Sequence, residues 1–157
     1  MGFEANSHRS AKRDRKEIAM ITEKFTQIYQ QLNKDNLELL GELYSEEITF
    51  IDPLNKIEGL DNLTVYFADL YENVSSISFD FSEIKSVENT HFLIWNMTLA
   101  HSKLNAGKRY VVPGVTYLKT DDSGKINYHR DYFDAGKMLY EQIPVIGTII
   151  SWIKRKL

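Results

Sequence analysis

Two spacings of apolar residues divide the chain. In the first half they recur every three or four positions, as on one stripe of an amphipathic helix, and Ile18, Ile21, Phe25, Ile28, Tyr29 and Leu32 predict a helix that begins near Arg15 and ends at residues 33–36. Leu37, Leu39, Leu40, Leu43 and Tyr44 predict a short second helix. Leu63, Tyr66, Phe67, Leu70 and Tyr71 predict a third, after Gly59 and capped by Asp61. Between the second and third, Ile48-Thr-Phe-Ile51 alternates as a strand, which Pro53 stops because proline cannot donate to a ladder.

Beyond residue 75 the period becomes two. Residues 76–87, 91–102, 109–120 and 125–134 read as four longer strands, joined at 88–90, 105–107 and 121–124 by turn-forming residues, which predicts an antiparallel meander. Helices first and strands afterwards define an α+β domain over residues 15–135: a curved, mostly antiparallel sheet with the N-terminal helices packed on one face. Residues 1–14 are polar and predict a flexible N-terminus. Residues 136–157 form an extra C-terminal helix, in which Leu139, Ile143, Ile146, Ile150, Ile153 and Leu157 keep a four-and-three spacing and Val145, Ile149 and Trp152 widen the apolar arc. Pro144 and Gly147 weaken its continuity, and Lys154-Arg-Lys156 follows. We expect this helix to pack on the domain or a dimer; the alternative is peripheral membrane contact, for which an apolar face beside a basic cluster is suited.

Composition narrows the function classes. With 157 residues, 43% apolar and 26% charged, the chain is one ordinary globular domain. A net charge of −3 and the lack of a basic stripe in the folded part argue against nucleic acid. The absence of cysteine removes disulfides, thiolate metal sites and thiol nucleophiles. No apolar run is long enough to span a bilayer and no secretory leader is recognisable, so a cytoplasmic protein is expected.

The richest chemistry lies in the last strand, Lys125-Ile-Asn-Tyr-His-Arg-Asp-Tyr-Phe-Asp134. Alternation places His129, Asp131 and Phe133 on one face, and Tyr128, Arg130, Tyr132 and Asp134 on the other. An inward aspartate is costly unless bonded or used, which makes Asp131 the leading catalytic candidate, with His129 to orient it or to take a proton itself. Asp52, before Pro53, is the second carboxylate; turn chemistry competes with function there. A lining of Ile28, Phe50, Leu63, Tyr66, Trp95, Met97, Leu99, Val112, Thr116, Leu118 and Phe133 suits a hydrophobic small molecule. Asp52, His129 and Asp131 lack the short spacing of a metal site, so neither a metal nor a cofactor is expected.

The order of elements, with Asp52-Pro53 closing the first strand and His129-Arg-Asp-Tyr-Phe-Asp134 the last, resembles the nuclear transport factor 2-like superfamily over residues 15–135. That resemblance implies a cone-shaped half-barrel around an apolar cavity and a homodimer through the exposed sheet face. Asp52-Pro53 is similar to the ketosteroid isomerase motif that carries the proton-shuttling carboxylate. The positions of that family's two oxyanion-hole donors correspond here to Ile28 and Thr116, with Tyr29 one residue away. Arg130-Asp-Tyr-Phe-Asp134 looks like the limonene epoxide hydrolases, which implies water activation by Asp131, but Met97 and Leu99 stand where those enzymes carry Arg-x-Asp. SnoaL-like polyketide cyclases, with a last-strand aspartate as base, fit best. Two functions are therefore expected: a cofactor-independent isomerase, cyclase or hydrolase using Asp131 and Asp52 as proton acceptors, or a non-catalytic binder of a hydrophobic or lipid-like ligand or of a partner protein.

Overall fold

The computed structural model describes residues 20–156; the expected helix start near Arg15, Ile18, the N-terminal tail and Leu157 lie outside them. Helix α1 occupies residues 20–31 and buries Phe25, Ile28 and Tyr29, and Leu32 just past its end is buried with them, the stripe the spacing predicts. A 3-10 turn over Leu37–Leu39 leads into α2 (Leu40–Leu43). Strand β1 (Tyr44–Ile51) starts four residues before the alternation begins, so Tyr44 belongs to the sheet instead of the second helix. A short β2 (Lys56–Glu58) folds back on β1, and α3 (Leu60–Tyr71) follows. Asp61 lies inside the first turn of α3 and does not cap it; Gly59 precedes the helix with φ +86°, a backbone that glycine adopts without strain.

The meander is β3 (Val74–Val87), β4 (Thr90–His101), β5 (Tyr110–Thr120) and β6 (Ile126–Phe133). The six strands run in the order β2-β1-β6-β5-β4-β3, antiparallel throughout except for the parallel pair β1–β6. That pair brings the two sequence-remote carboxylates to one level: Phe50 stands beside His129 and Ile51 beside Arg130, so Asp52 follows in step with Asp131.

The inner face of the sheet packs on α1 and α3 through Phe25, Ile28, Tyr29, Leu63 and Phe67. A second cluster of Trp95, Met97, Leu99 and Val112 sits further along β4 and β5, joined by Phe133 and Met138. Past β6 the chain turns over this second cluster: Asp134 caps α4 (Ala135–Met138) by accepting from the Lys137 amide at 3.0 Å, and Tyr110 Oη donates to the Met138 carbonyl at 2.8 Å. A 3-10 turn (Tyr140–Gln142) then leads to α5 (Pro144–Lys154), with Pro144 in the first helical turn, where its missing amide costs nothing.

His91 opens the inner face of β4. It is fully buried, with Nδ1 2.9 Å from Ser86 Oγ and Nε2 without a hydrogen-bond partner among the described residues, and desolvation holds its pKa below the ordinary imidazole value. In the range below about pH 6.5 an unfolded histidine binds a proton that folded His91 refuses, so the unfolded state holds more protons there and stability should fall with falling pH. His101 is shifted the same way by partial burial and by Lys103. Urea unfolding of the wild type and of His91→Leu at about pH 7 and about pH 5 should show a smaller acid loss in the variant; equal losses would contradict this account of His91.

Candidate functional site

Strand alternation puts His129 and Asp131 on the inner face of β6, while Arg130 lies outside with its guanidinium 4.9 Å from the Tyr132 ring centroid. The His129 side chain is 0% exposed and that of Asp131 15%, so the imidazole is sealed while the carboxylate keeps a little solvent access. Asp131 Oδ1 lies 2.9 Å from His129 Nε2 and accepts from Thr116 Oγ1 at 2.5 Å. Behind each donor stands another. Thr116 Oγ1 accepts from Trp95 Nε1 at 2.8 Å, while His129 Nδ1 lies 2.7 Å from Tyr44 Oη, which lies 2.6 Å from Tyr29 Oη.

An ionised carboxylate only accepts, so Nε2 carries the proton toward Asp131. In a neutral ring Nδ1 then accepts from Tyr44, which accepts in turn from Tyr29. Two chains of donors thus converge on one oxygen. Burial, first among the causes, pushes the Tyr29 and Tyr44 phenols well above the ordinary range, which keeps both as donors. The His129 ring is held by aromatic neighbours, with the Phe50 ring centroid 4.5 Å away and that of Phe25 5.8 Å away. Among the described residues nothing hydrogen-bonds Oδ2 of Asp131.

Asp52 is arranged differently. Its Oδ1 accepts from the amides of Leu54 (2.7 Å) and Asn55 (2.8 Å), an Asx turn, and its Oδ2 accepts a short hydrogen bond from Tyr66 Oη. Burial and then this bond push the Tyr66 phenol well up, with the charge of Asp131 adding to the shift. Both oxygens of Asp52 are engaged, and the residue anchors the turn and Tyr66 at the level of Asp131.

The residues expected to line a cavity fall into two packed groups on the inner side of the sheet. Ile28, Phe50, Leu63 and Leu118 belong to the core beneath α1 and α3, with Tyr66 packed against them, and Leu63, Leu118 and Val112 are fully buried. Trp95, Met97, Leu99 and Val112 form the second group with Phe133 packed against it; it meets the site through the Trp95 indole, which donates to Thr116, and the Trp95 and Phe133 ring centroids are 6.3 Å apart. The sequence gives Tyr44 no place in the site, sets Tyr29 one residue from an oxyanion-hole position, and places Thr116 at the other such position and in the lining. The signal for Tyr44 was present: it shares parity with Ile48 and Phe50 on the strand. Among the described residues no three His, Asp or Glu side chains gather closely enough to hold a metal ion.

Gly114 makes the Trp95–Thr116 contact possible. It faces Trp95 across β4 and β5, and a Cβ there would fall 2.2 Å from the indole Cη2. Gly114→Ala should therefore cost about 1–3 kcal/mol in urea unfolding and detach the indole from Thr116, visible as a loss of near-ultraviolet circular dichroism. An unchanged spectrum would show that Trp95 has room to move.

A cone-like α+β fold with a carboxylate–imidazole pair on its inner face defines the general class of protein. The SnoaL-like domain family matches residues 25–129, more than half of the chain, and the chain belongs to that family within the nuclear transport factor 2-like superfamily. No curated protein sequence matches it. Among solved structures it is similar to a protein assigned as a SnoaL-like polyketide cyclase from Jannaschia sp. CCS1 (15% identity, TM-score 0.70, 81% of this chain and 93% of that one). It is also similar to an LEH-like epoxide hydrolase from M. tuberculosis (15% identity, TM-score 0.64, 89% and 97%). A third similar structure is a protein with a ketosteroid isomerase-like fold from Catenulispora acidiphila, in complex with trimethylamine (15% identity, TM-score 0.67, 79% and 93%). At this identity the likenesses speak to the fold alone.

Proposed function

We propose that the cup takes a hydrophobic small molecule and that Asp131 Oδ2 accepts a proton from it, or from a water beside it, without a cofactor. The observation that supports this reading is the convergence of His129 and Thr116 on Oδ1, which fixes the carboxylate through one oxygen and leaves the second without a hydrogen bond among the described residues. A base aimed by two donor chains behind it is preorganised for proton transfer. Asp52 contributes through Tyr66, which it holds at the level of Asp131. An isomerase or cyclase is favoured over an epoxide hydrolase because Met97 and Leu99 are apolar and buried, so β4 supplies no acid to protonate an oxide.

The outer face of the sheet carries Phe92, Ile94, Val111 and Tyr132, all exposed, with Phe92 stacked on Tyr117 at 5.0 Å between ring centroids. We read it as the face of a homodimer. Small hydrophobic cyclic ketones incubated with the protein in D2O should gain deuterium at the carbon next to the carbonyl, and hydrophobic epoxides in 18O-water should give little labelled diol. If neither probe reacts although the ketones shift amide resonances of cup residues by NMR, the binder reading replaces the catalytic one.

A further inference from the structure

Helix α5 is turned inside out. The side it shows to the preceding turn holds Gly147, buried against the Glu141 backbone so closely that a Cβ would lie 2.3 Å from the Glu141 carbonyl oxygen. The same side holds Lys154, whose Nζ lies 2.6 Å from Glu141 Oε1 and 3.0 Å from Asp134 Oδ2. The opposite side holds Ile146, Ile149, Trp152 and Ile153, which are 42%, 53%, 56% and 45% exposed. An ordinary surface helix does the reverse. Close backbone contact at one end and two ion pairs at the other hold α5 with its apolar side outward, against the cost of leaving four large side chains in water.

We propose that this face docks on an anionic lipid surface as a short interfacial helix. The charge pattern selects lipid: residues 143–157 contain no acidic residue, Lys154 is tied to the domain, and Arg155 and Lys156 are exposed beside Trp152, with the Lys156 ammonium 6.0 Å from the indole centroid. Trp beside basic residues at the rim of an apolar strip is the composition that settles at the headgroup level. A second copy fits less well. Four half-exposed side chains offer roughly 400 Å² against the ~800 Å² per partner of a standard interface, and α5 has no carboxylate of its own to pair with a twin's cations. The helix is too short to span a bilayer; it would lie along the surface. The inference stands apart from the proposed chemistry of the cup.

The test is co-sedimentation of the full chain with vesicles of phosphatidylcholine, with and without phosphatidylserine, read together with tryptophan emission and size-exclusion light scattering. The wild type should bind only the phosphatidylserine vesicles, release at high salt, and show a blue shift that disappears in Trp152→Phe, because Trp95, the other tryptophan, is already buried. Arg155→Gln/Lys156→Gln should bind about thirtyfold more weakly, at about fivefold per cation removed. Ile149→Glu/Trp152→Glu should not bind, with its melting temperature unchanged because both positions are exposed. No binding by the wild type would overturn the proposal, as would binding untouched by either double variant. If the wild type ignores vesicles and Ile149→Glu/Trp152→Glu converts an oligomer to a monomer, the face is a contact between copies and the lipid proposal is wrong.

Discussion

Replacing Asp131 by asparagine should lower turnover of any ketone found to exchange by about a hundredfold to ten-thousandfold, the usual contribution of a positioned general base, while leaving the fold intact. Asparagine keeps the shape of the residue. Its amide oxygen can take the place of Oδ1 and go on accepting from Thr116 and His129, while its NH2 occupies the place of Oδ2 and turns an acceptor into a donor. Melting should shift little and ligand binding should persist, so the loss should fall on kcat and not on KM. A variant that keeps its turnover would remove Asp131 from the chemistry. A variant that unfolds would make the carboxylate structural.

His129→Leu should be the most destabilising single change in the site, about 3–5 kcal/mol in urea unfolding. It leaves Asp131 without one of its two donors and the buried Tyr44 hydroxyl without its acceptor, and it replaces a ring fitted among Phe25, Phe50, Tyr29 and Tyr44. Tyr44→Phe on its own should cost less, because His129 keeps its bond to Asp131. Combined with His129→Leu it should cost less than the sum, since the orphaned hydroxyl is no longer present. Strict additivity would mean that the Tyr29–Tyr44–His129 chain is a coincidence of packing.

These expectations rest on how sequence pattern translated into structure. The meander was legible because period-two runs and turn chemistry agree: Asp121 Oδ1 accepts from the Ser123 and Lys125 amides, and Gly124 takes a φ of +80°, so the β5–β6 turn is written in side chains next to it in sequence. The inward faces of β4, β5 and β6 followed from alternation alone. Tyr44 was misplaced because the run Leu37–Tyr44 also fits a helical period, and only pairing with Ile126 in the remote β6 decides for strand. The three-residue β2 has no period of its own; it exists because β1 offers an edge.

In the site, Asp131 and His129 announced themselves as polar residues at inward positions, while Thr116 and Tyr44 did not, since a threonine or tyrosine in a strand is ordinary. Their role appears only when β5 sets Thr116 opposite Asp131 and β1 runs parallel to β6. Asp52 shows the converse. Asp-Pro at a strand end signals both catalysis and turn, and the Leu54 and Asn55 amides together with Tyr66 occupy both of its oxygens. The apolar period of α5 was plain, but which way it faces depends on Gly147 and Lys154, whose partners lie on the preceding segment.

Asp131, on the function proposed above, presents one free carboxylate oxygen to a hydrophobic molecule in the cup. The most direct measurement is a crystal structure of Asp131→Asn with the tightest-binding ketone of the panel. The ketone should lie between Trp95, Met97 and Phe133, with the carbon next to its carbonyl within ~3.5 Å of the side-chain atom that replaces Oδ2. A ketone bound with that carbon turned away from residue 131, or bound outside the cup altogether, would contradict it.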